Sequence, residues 1–408
     1  MSILPLAFGH AISPNEFQCI QQRMSLDCCK WDSQVGDTST LFPQPLLISG
    51  ETWNQLKEMA EGLAAELNEA ENELLHRSEL LSLLGLPRPL HIEFTRGNHA
   101  ALRPGAVRVL RFDFHYTNDG WRISEVNSDV PGGYTEASRF PEMVRQFFQN
   151  ARTTGDPANE WARELLAAIG ERGRVALLSA PGFFEDQQVT AFLAAELQAR
   201  NIDSRLLHDP SQLNWKDQVA FTRWNGNEVK VDAIVRFYQG EWLARLPDRN
   251  KWKPLFFGSR TLVANPGIAV LSESKRFPLT WPTLSTSMST WTSMMPECRD
   301  PLESHWKSSD DWIVKAAFSN TGDEIHVREL IDAKTWGSVC KSVESHPERW
   351  VVQRRFETVP ITSDLGSLYP CIGVYTINGR ACGIYGRASR QPIVNYSAYD
   401  VAVLIAGG

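Results

Sequence analysis

The chain has 408 residues, 42% of them hydrophobic and 22% charged, with a formal net charge of −7. That length allows two or three domains around a large core. The acidic balance, with no basic tail, argues against a nucleic-acid or membrane surface as the main partner.

The cysteines at 19, 28, 29, 298, 340, 371 and 382 form no C-x-x-C pair, and their number is odd. A disulfide framework or zinc site is not expected, and a reducing cytoplasm fits best. The N-terminal apolar run is too short for a signal peptide, and no stretch reaches membrane-spanning length. The 14 tryptophans are scattered without a repeat, as core packing would leave them.

In chain order, residues 1–50 give no clear pattern. Trp53, Leu56, Met59, Leu63 and Leu67 recur at three and four, which predicts a helix from Glu51 to about Leu84, ended by Leu86-Pro-Arg-Pro89. Residues 90–130 read as extended. Within them, Arg111, Asp113 and His115 alternate with Phe112, Phe114 and Tyr116, and Ile123, Glu125 and Asn127 with Ser124, Val126 and Ser128. Period-two alternation places each polar set on one face of a strand. Thr117-Asn-Asp-Gly120 supplies the turn between the two. Paired antiparallel, these strands bring two carboxylates, an amide oxygen and a guanidinium together. Such a set suits Mg2+, which prefers oxygen ligands and shares its shell with phosphates. A solvated hairpin face is the competing reading.

Pro131-Gly-Gly133 breaks the second strand, and Thr135 to about Gln149 reads as a helix. After Thr153-Thr-Gly-Asp-Pro157 a second unit begins. It runs from a helix near Trp161–Ala168 to a strand at Val175–Leu178, a helix at about Asp186–Arg200 and a strand at Ser204–Leu207. This is a βαβ unit in an open α/β sheet. Neither G-x-G-x-x-G nor G-x-x-x-x-G-K-[ST] occurs. A third unit starts near Leu262. It has strands at Trp312–Lys315, Ile325–Val327 and Trp350–Gln353, a helix at about Asp332–Val343, and a hairpin of Ile372–Ile377 and Arg380–Tyr385 across Asn378-Gly379.

Arg111, Asp113, Glu125, Asn127 and Asp129 together meet a pattern R-x-D…E-x-N-x-D. Over roughly residues 85–400 the chain resembles the synthetase domain of glutathionylspermidine synthase. The resemblance implies an α/β (α+β) fold of the ATP-grasp type, circularly permuted, with an inserted open α/β pre-ATP-grasp-like domain. It implies an N-terminal helical region at 1–84, large-lobe parts at 85–155 and 361–408, the inserted domain at 156–265 and a small lobe at 266–360. It further implies that Asp113, Glu125 and Asn127 hold Mg2+ against ATP phosphates. Lys275, in Glu273-Ser274-Lys275, and Lys315, ending Trp312-Ile-Val-Lys315, then contact nucleotide. The hinge strand Trp350–Gln353 meets adenine through its backbone and Gln353. Arg111 faces the reacting carboxylate, and Arg387, with Asn395 beyond it, the transferred phosphoryl. Glu185-Asp186 opens a helix, as in the family. A helix-start cap explains that pair, with a substrate role as the alternative.

The sequence departs from the family at three places. The phosphate loop is Phe318-Ser-Asn-Thr-Gly322, with one glycine and no arginine. Val130-Pro-Gly-Gly133 replaces a hydroxyl-rich Thr-Pro-Thr-Ser stretch on the substrate side, so glutathione is expected to be a poor donor or none. No amidase domain with a Cys-His pair is present, so only the synthetic half is expected. The activity implied is ATP-dependent amide formation from a small-molecule or peptide carboxylate and an amine, such as a polyamine or amino acid. The rival readings are a nucleotide-binding scaffold without turnover and a kinase that stops at phosphoryl transfer.

Overall fold

The computed structural model describes residues 4–35, 38–97, 107–319 and 324–407. The fold is a mixed α/β arrangement of several sheets. Asn320, Thr321 and Gly322 of the expected phosphate loop lie outside the described residues, as do 98–106.

The largest sheet is antiparallel. Its order is Tyr399–Val401, Arg380–Ser389, Gly366–Ile377, Val109–Thr117 and Gly120–Asn127, with Ile361–Ser363 paired onto the start of Gly366–Ile377. Two tight turns build it. At one, Gly120 takes φ +92° and Thr117 Oγ1 donates to the Gly120 carbonyl at 2.7 Å. At the other, Asn378 and Gly379 both have positive φ, the geometry that matches the twist of a two-residue hairpin.

Four parallel strands form a second sheet, in the order Leu262–Ala264, Ala233–Phe237, Arg174–Ser179 and Asp203–Leu207. The βαβ unit read from the sequence is present, with its helix at Phe184–Gln198. Arg174–Ser179 is buried at nearly every position, as a strand covered on both faces requires. A smaller antiparallel sheet has the order Cys298–Arg299, Trp350–Arg354, Trp312–Ala316 and Ile325–Val327. The helix Ala333–Ser345 accompanies it, capped by Asp332, whose carboxylate accepts from the N–H groups of Lys334 and Thr335.

Three expectations need correction. The helix predicted over 51–84 ends at Leu74, and Ser78–Leu84 is a 3-10 turn closed by Gly85 at φ +63°. Its apolar spacing continues through the break, which is why periodicity alone joins the two. Residues Arg88–Thr95 are a helix, not the extended start of 90–130. Pro87 and Pro89 sit at its N-terminal end, where a missing N–H does no harm. The described residues among 1–50 form regular elements, although the sequence shows no clear pattern there. Pro14–Asp27 is a helix whose Ser13 cap accepts from the Glu16 N–H, and Leu6–Phe8 and Leu46–Ile48 join Val403–Ile405 in a further sheet. Ser13-Pro-Asn-Glu16 carried a readable helix-start signal.

The core is continuous across the large sheet and the helix Gly50–Leu74. Eight of the 14 tryptophans are buried, Trp161, Trp252, Trp291 and Trp306 almost wholly. Trp291 packs edge-on to Phe112 and Phe277, so the back of the Val109–Thr117 strand is anchored in aromatic core. Burying one such side chain stabilises by about 2–3 kcal/mol. The opposite face of the strand is left for polar groups.

Candidate functional site

The hairpin register pairs Arg111 with Asn127 and Asp113 with Glu125. Directly opposed residues share a face, so these four side chains lie together. The ladder slips after Asp113, and Ser124 is the extra residue. The Ser124 carbonyl accepts from Lys315 Nζ at 3.0 Å. A lysine of the smaller sheet is thereby tied to the hairpin of the larger one.

Asp113 is the hub of the arrangement and is fully buried. Arg111 donates from Nε to Oδ1 at 2.9 Å and from Nη2 to Oδ2 at 3.2 Å. Arg387 Nη2 donates to Oδ2 at 2.6 Å, and Asn127 Nδ2 to the same oxygen at 3.2 Å. Burial alone would raise this carboxyl. Arg111 and Arg387 outweigh burial and hold it well below the usual carboxylate range. Arg111 Nη1 also donates to the Gly132 carbonyl at 2.7 Å.

Glu125 forms an ion pair with Lys275 at 3.5 Å. Burial raises its carboxyl, but Lys275 and then Lys315 draw it below its ordinary value. Lys275 Nζ donates to the Ser319 carbonyl at 2.9 Å. Lys315 is buried, and that burial pulls its ammonium below the ordinary lysine value.

Seven of the eight residues assigned to the site from sequence line one cleft of about 320 Å³: Arg111, Asp113, Glu125, Asn127, Lys315, Gln353 and Arg387. Asn395 lines it too. Lys275 lines a smaller pocket that shares Glu125, Lys315 and Gln353 with the cleft. The strand carrying Gln353 has a neighbour on both edges. On the Cys298–Arg299 side the pairing covers only Val352 and Gln353. The Gln353 side chain remains available, buried, with Oε1 unpartnered. Asp129 faces elsewhere. It is buried against Arg236 and accepts from the Gly240 N–H at 2.7 Å, which fastens the hairpin to the parallel sheet.

Several lining residues escaped the sequence reading. The Tyr385 ring lies 5.2 Å from the Arg111 guanidinium and 5.4 Å from that of Arg387, and its hydroxyl donates to Asp400 at 2.6 Å. Lys30 is buried and pairs with Glu136, Asp32 and Asp400 at 2.6, 3.1 and 3.1 Å. Neither residue stands in a motif, and only the fold brings them to the cleft. His115 shares the Arg111–Asp113 face, as its alternation predicted. Burial pushes its imidazole down to about 4.

One end of the cleft is acidic. Asp32, Glu185, Asp186 and Asp400 line it, with Lys30 among them. Burial raises both Glu185 and Asp186, and Asp186 Oδ2 has no partner. Gly132 bridges this end to Arg111, since a Cβ built there would lie 3.4 Å from Glu185 Oε1. Gly133, at φ +91°, is a forced glycine, because a Cβ would meet the Tyr385 ring at 2.6 Å.

Among the described residues no group of three or more His, Cys, Asp or Glu side chains is gathered to hold a metal. The Asp113, Glu125 and Asn127 set offers two carboxylates and one amide on one face. That donor set fits a hard cation that keeps several waters and is completed by phosphates, rather than one needing a full protein cage. Also among the described residues, no helix is long and apolar enough to cross a membrane.

The family model described as glutathionylspermidine synthase preATP-grasp matches residues 44–406. No curated protein matches the sequence. A glutathione synthetase-like effector from Globodera pallida, solved in its apo form, superposes with a TM-score of 0.57 at 13% identity, over 98% of this chain and all of that one. The two share a fold. A putative gamma-glutamylcysteine synthetase from Methylobacillus flagellatus gives a TM-score of 0.40 at 11% identity, over 81% of this chain and 84% of that one.

Proposed function

This chain belongs to the glutathionylspermidine synthase preATP-grasp family, and from that premise we propose that it is an ATP-dependent ligase joining a carboxylate to an amine. The observation that carries the reading is the cleft itself. Three cations from separate elements, Arg111, Lys315 and Arg387, meet the Asp113, Glu125 and Asn127 face there. We read the fold as a circularly permuted ATP-grasp, because the hairpin precedes both lysines in the chain. Residues 85–155 and 361–408 then form the large lobe, 156–265 the inserted α/β domain and 266–360 the small lobe, after an N-terminal region at 1–84.

In this reading ATP spans the cleft from Gln353 and Lys275 toward Arg387. Mg2+ held by Asp113, Glu125 and Asn127 would neutralise phosphate charge. The substrate carboxylate attacks the γ-phosphorus, ADP leaves, and an acyl phosphate forms. The amine, in its neutral form, then attacks the acyl carbon and expels phosphate, giving an amide, and the proton it sheds passes to phosphate or water. Chemistry of this kind needs aligned groups and charge stabilisation more than a protein nucleophile. Arg111 and Arg387 are held rigid by Asp113 and the Tyr385 ring, so their donors are set before charge develops. Lys275, ion-paired to Glu125 at 3.5 Å, would stand beside phosphate if Glu125 held Mg2+. The acidic end at Glu185 and Asp186 suits a positively charged amine, such as a polyamine or an amino acid. Glutathione remains an expected poor donor, since Gly132 and Gly133 offer no hydroxyl and the Gly132 carbonyl is taken by Arg111.

An oxygen-18 label in the substrate carboxylate tests the route. One labelled oxygen should appear in the released phosphate for each amide formed. Unlabelled phosphate alongside amide product would exclude the acyl phosphate.

A further inference from the structure

His115 is the one charged-face residue of the hairpin to which the proposed chemistry gives no task. It is buried and lines the cleft. Its Nε2 lies 3.0 Å from Ser124 Oγ, and that hydroxyl donates to the Asp113 carbonyl at 3.5 Å. Assigning the hydroxyl proton to that carbonyl places the ring proton on Nε2 and leaves Nδ1 as an acceptor. Nδ1 has no partner. A buried polar atom without a partner is unfavourable, and one in a cleft is ready for a ligand.

Its position says which part of a ligand reaches it. Along the strand, Arg111 stands at the acidic end, bonded to Gly132. Asp113 is central, and His115 lies at the other end, with its ring 5.4 Å from that of Phe356. Ile313, Ile325 and Phe356 line the cleft with apolar surface, and Gln353 Oε1 is a second buried acceptor without a partner. Phosphate oxygens are acceptors and would be repelled by both atoms. A nucleoside has donors, in the exocyclic amine of adenine and the ribose hydroxyls.

We propose that His115 is a nucleoside-binding residue, whose Nδ1 accepts a hydrogen bond from a donor on the base or sugar of the nucleotide. The inference rests on the reading of this cleft as a nucleotide site and deepens it. His115 then contributes to the choice of nucleotide, because an analogue lacking the donor leaves Nδ1 unpaired in a closed site.

Calorimetry of ATP, inosine triphosphate, 2′-deoxy-ATP and 3′-deoxy-ATP, against wild type, His115→Phe and His115→Asn, tests it. The inosine compound lacks the exocyclic amine, and each deoxy compound lacks one hydroxyl. In wild type, one analogue should bind about three- to tenfold more weakly than ATP. That ratio should fall toward one in His115→Phe, and which analogue responds identifies the donor. His115→Asn, a smaller change to the core, gives the same comparison if the phenylalanine variant does not fold. If every analogue ratio is the same in wild type and in the folded variants, while ATP still binds, His115 makes no nucleoside contact. If wild type binds no nucleotide at all, the nucleotide reading of the cleft falls first and this inference with it.

Discussion

Arg387 reaches across an intervening strand to Asp113. The two lie on Arg380–Ser389 and Val109–Thr117, separated by Gly366–Ile377, with Arg387 Nη2 2.6 Å from Asp113 Oδ2. The contact joins a late strand to the hairpin, and it makes Asp113 the counter-ion of two guanidiniums, the buried Arg111 and the part-buried Arg387.

Asp113→Asn is therefore expected to reduce stability as well as turnover. Removing one partner of a buried pair leaves uncompensated charge, at a cost of about 3–5 kcal/mol. The amide can still hydrogen-bond, so the lower end is expected. Glu125→Gln should abolish Mg-dependent turnover with little change in stability, because the Glu125 side chain is 24% exposed and meets Lys275 only at 3.5 Å. Thermal unfolding of both variants separates the two roles. Equal melting temperatures would show that Asp113 is not the charge hub described.

Gly373 is the space through which the Arg111–Asp113 pair lies. It sits opposite Asp113 in the ladder, and a Cβ there would be 2.9 Å from Arg111 Cδ and 3.0 Å from Asp113 Oδ1. Gly373→Ala should displace both side chains, with a stability loss of about 1–3 kcal/mol and a larger loss of kcat than of ATP affinity. Wild-type kcat in this variant would mean that the pair tolerates displacement.

Lys275 and Lys315 are expected to bind nucleotide. Either one replaced by methionine should weaken ATP binding by calorimetry about tenfold or more, the scale of a lost charge-assisted hydrogen bond. Arg387→Lys should instead depress kcat more than ATP affinity. Unchanged ATP affinity in both lysine variants would remove them from the nucleotide site.

Glu273 sets a pH dependence of stability. It lies part-buried beneath the hairpin and accepts from the Ser128 and Asp129 N–H groups at 2.7 and 2.8 Å. Burial and the neighbouring Asp129 push its carboxyl up to about 7. An acid raised on folding favours the folded state while protonated. That contribution is complete below its unfolded value of about 4.3, declines as pH rises, and is gone above about 7. Glu273→Gln should flatten the fall in stability between pH 5 and 7.5, by roughly 3 kcal/mol at most. Denaturant titrations across that window check it, and an unaltered slope would contradict the assignment.

The hairpin was legible because alternation is a local signal. Arg111, Asp113, Glu125 and Asn127 fall on one face from period two alone, and the register confirms the face. The βαβ unit was legible for the same reason, since a short apolar run between glycines and a helix has few other solutions. What periodicity could not supply was the long-range set. Lys30, Tyr385 and Asp400 meet only because the first and last segments of the chain pack together, and nothing local marks them. The pairing of Val352 and Gln353 on both edges was hidden because their neighbour, Cys298–Arg299, is too short to show a pattern. The early end of the helix at Leu74 was missed because Leu80, Leu81 and Leu84 continue the apolar count while the backbone changes to a 3-10 turn.

The most direct test of the central claim is mass spectrometry of the products when purified protein and Mg-ATP meet a panel of peptides, amino acids and polyamines, with ADP release followed in parallel. The account predicts that ADP release requires both a carboxylate and an amine, and that one pair yields an amide, ADP and phosphate in equal amounts. Accumulation of a phosphorylated acid as the end product, or no ADP release with any pair, would contradict it.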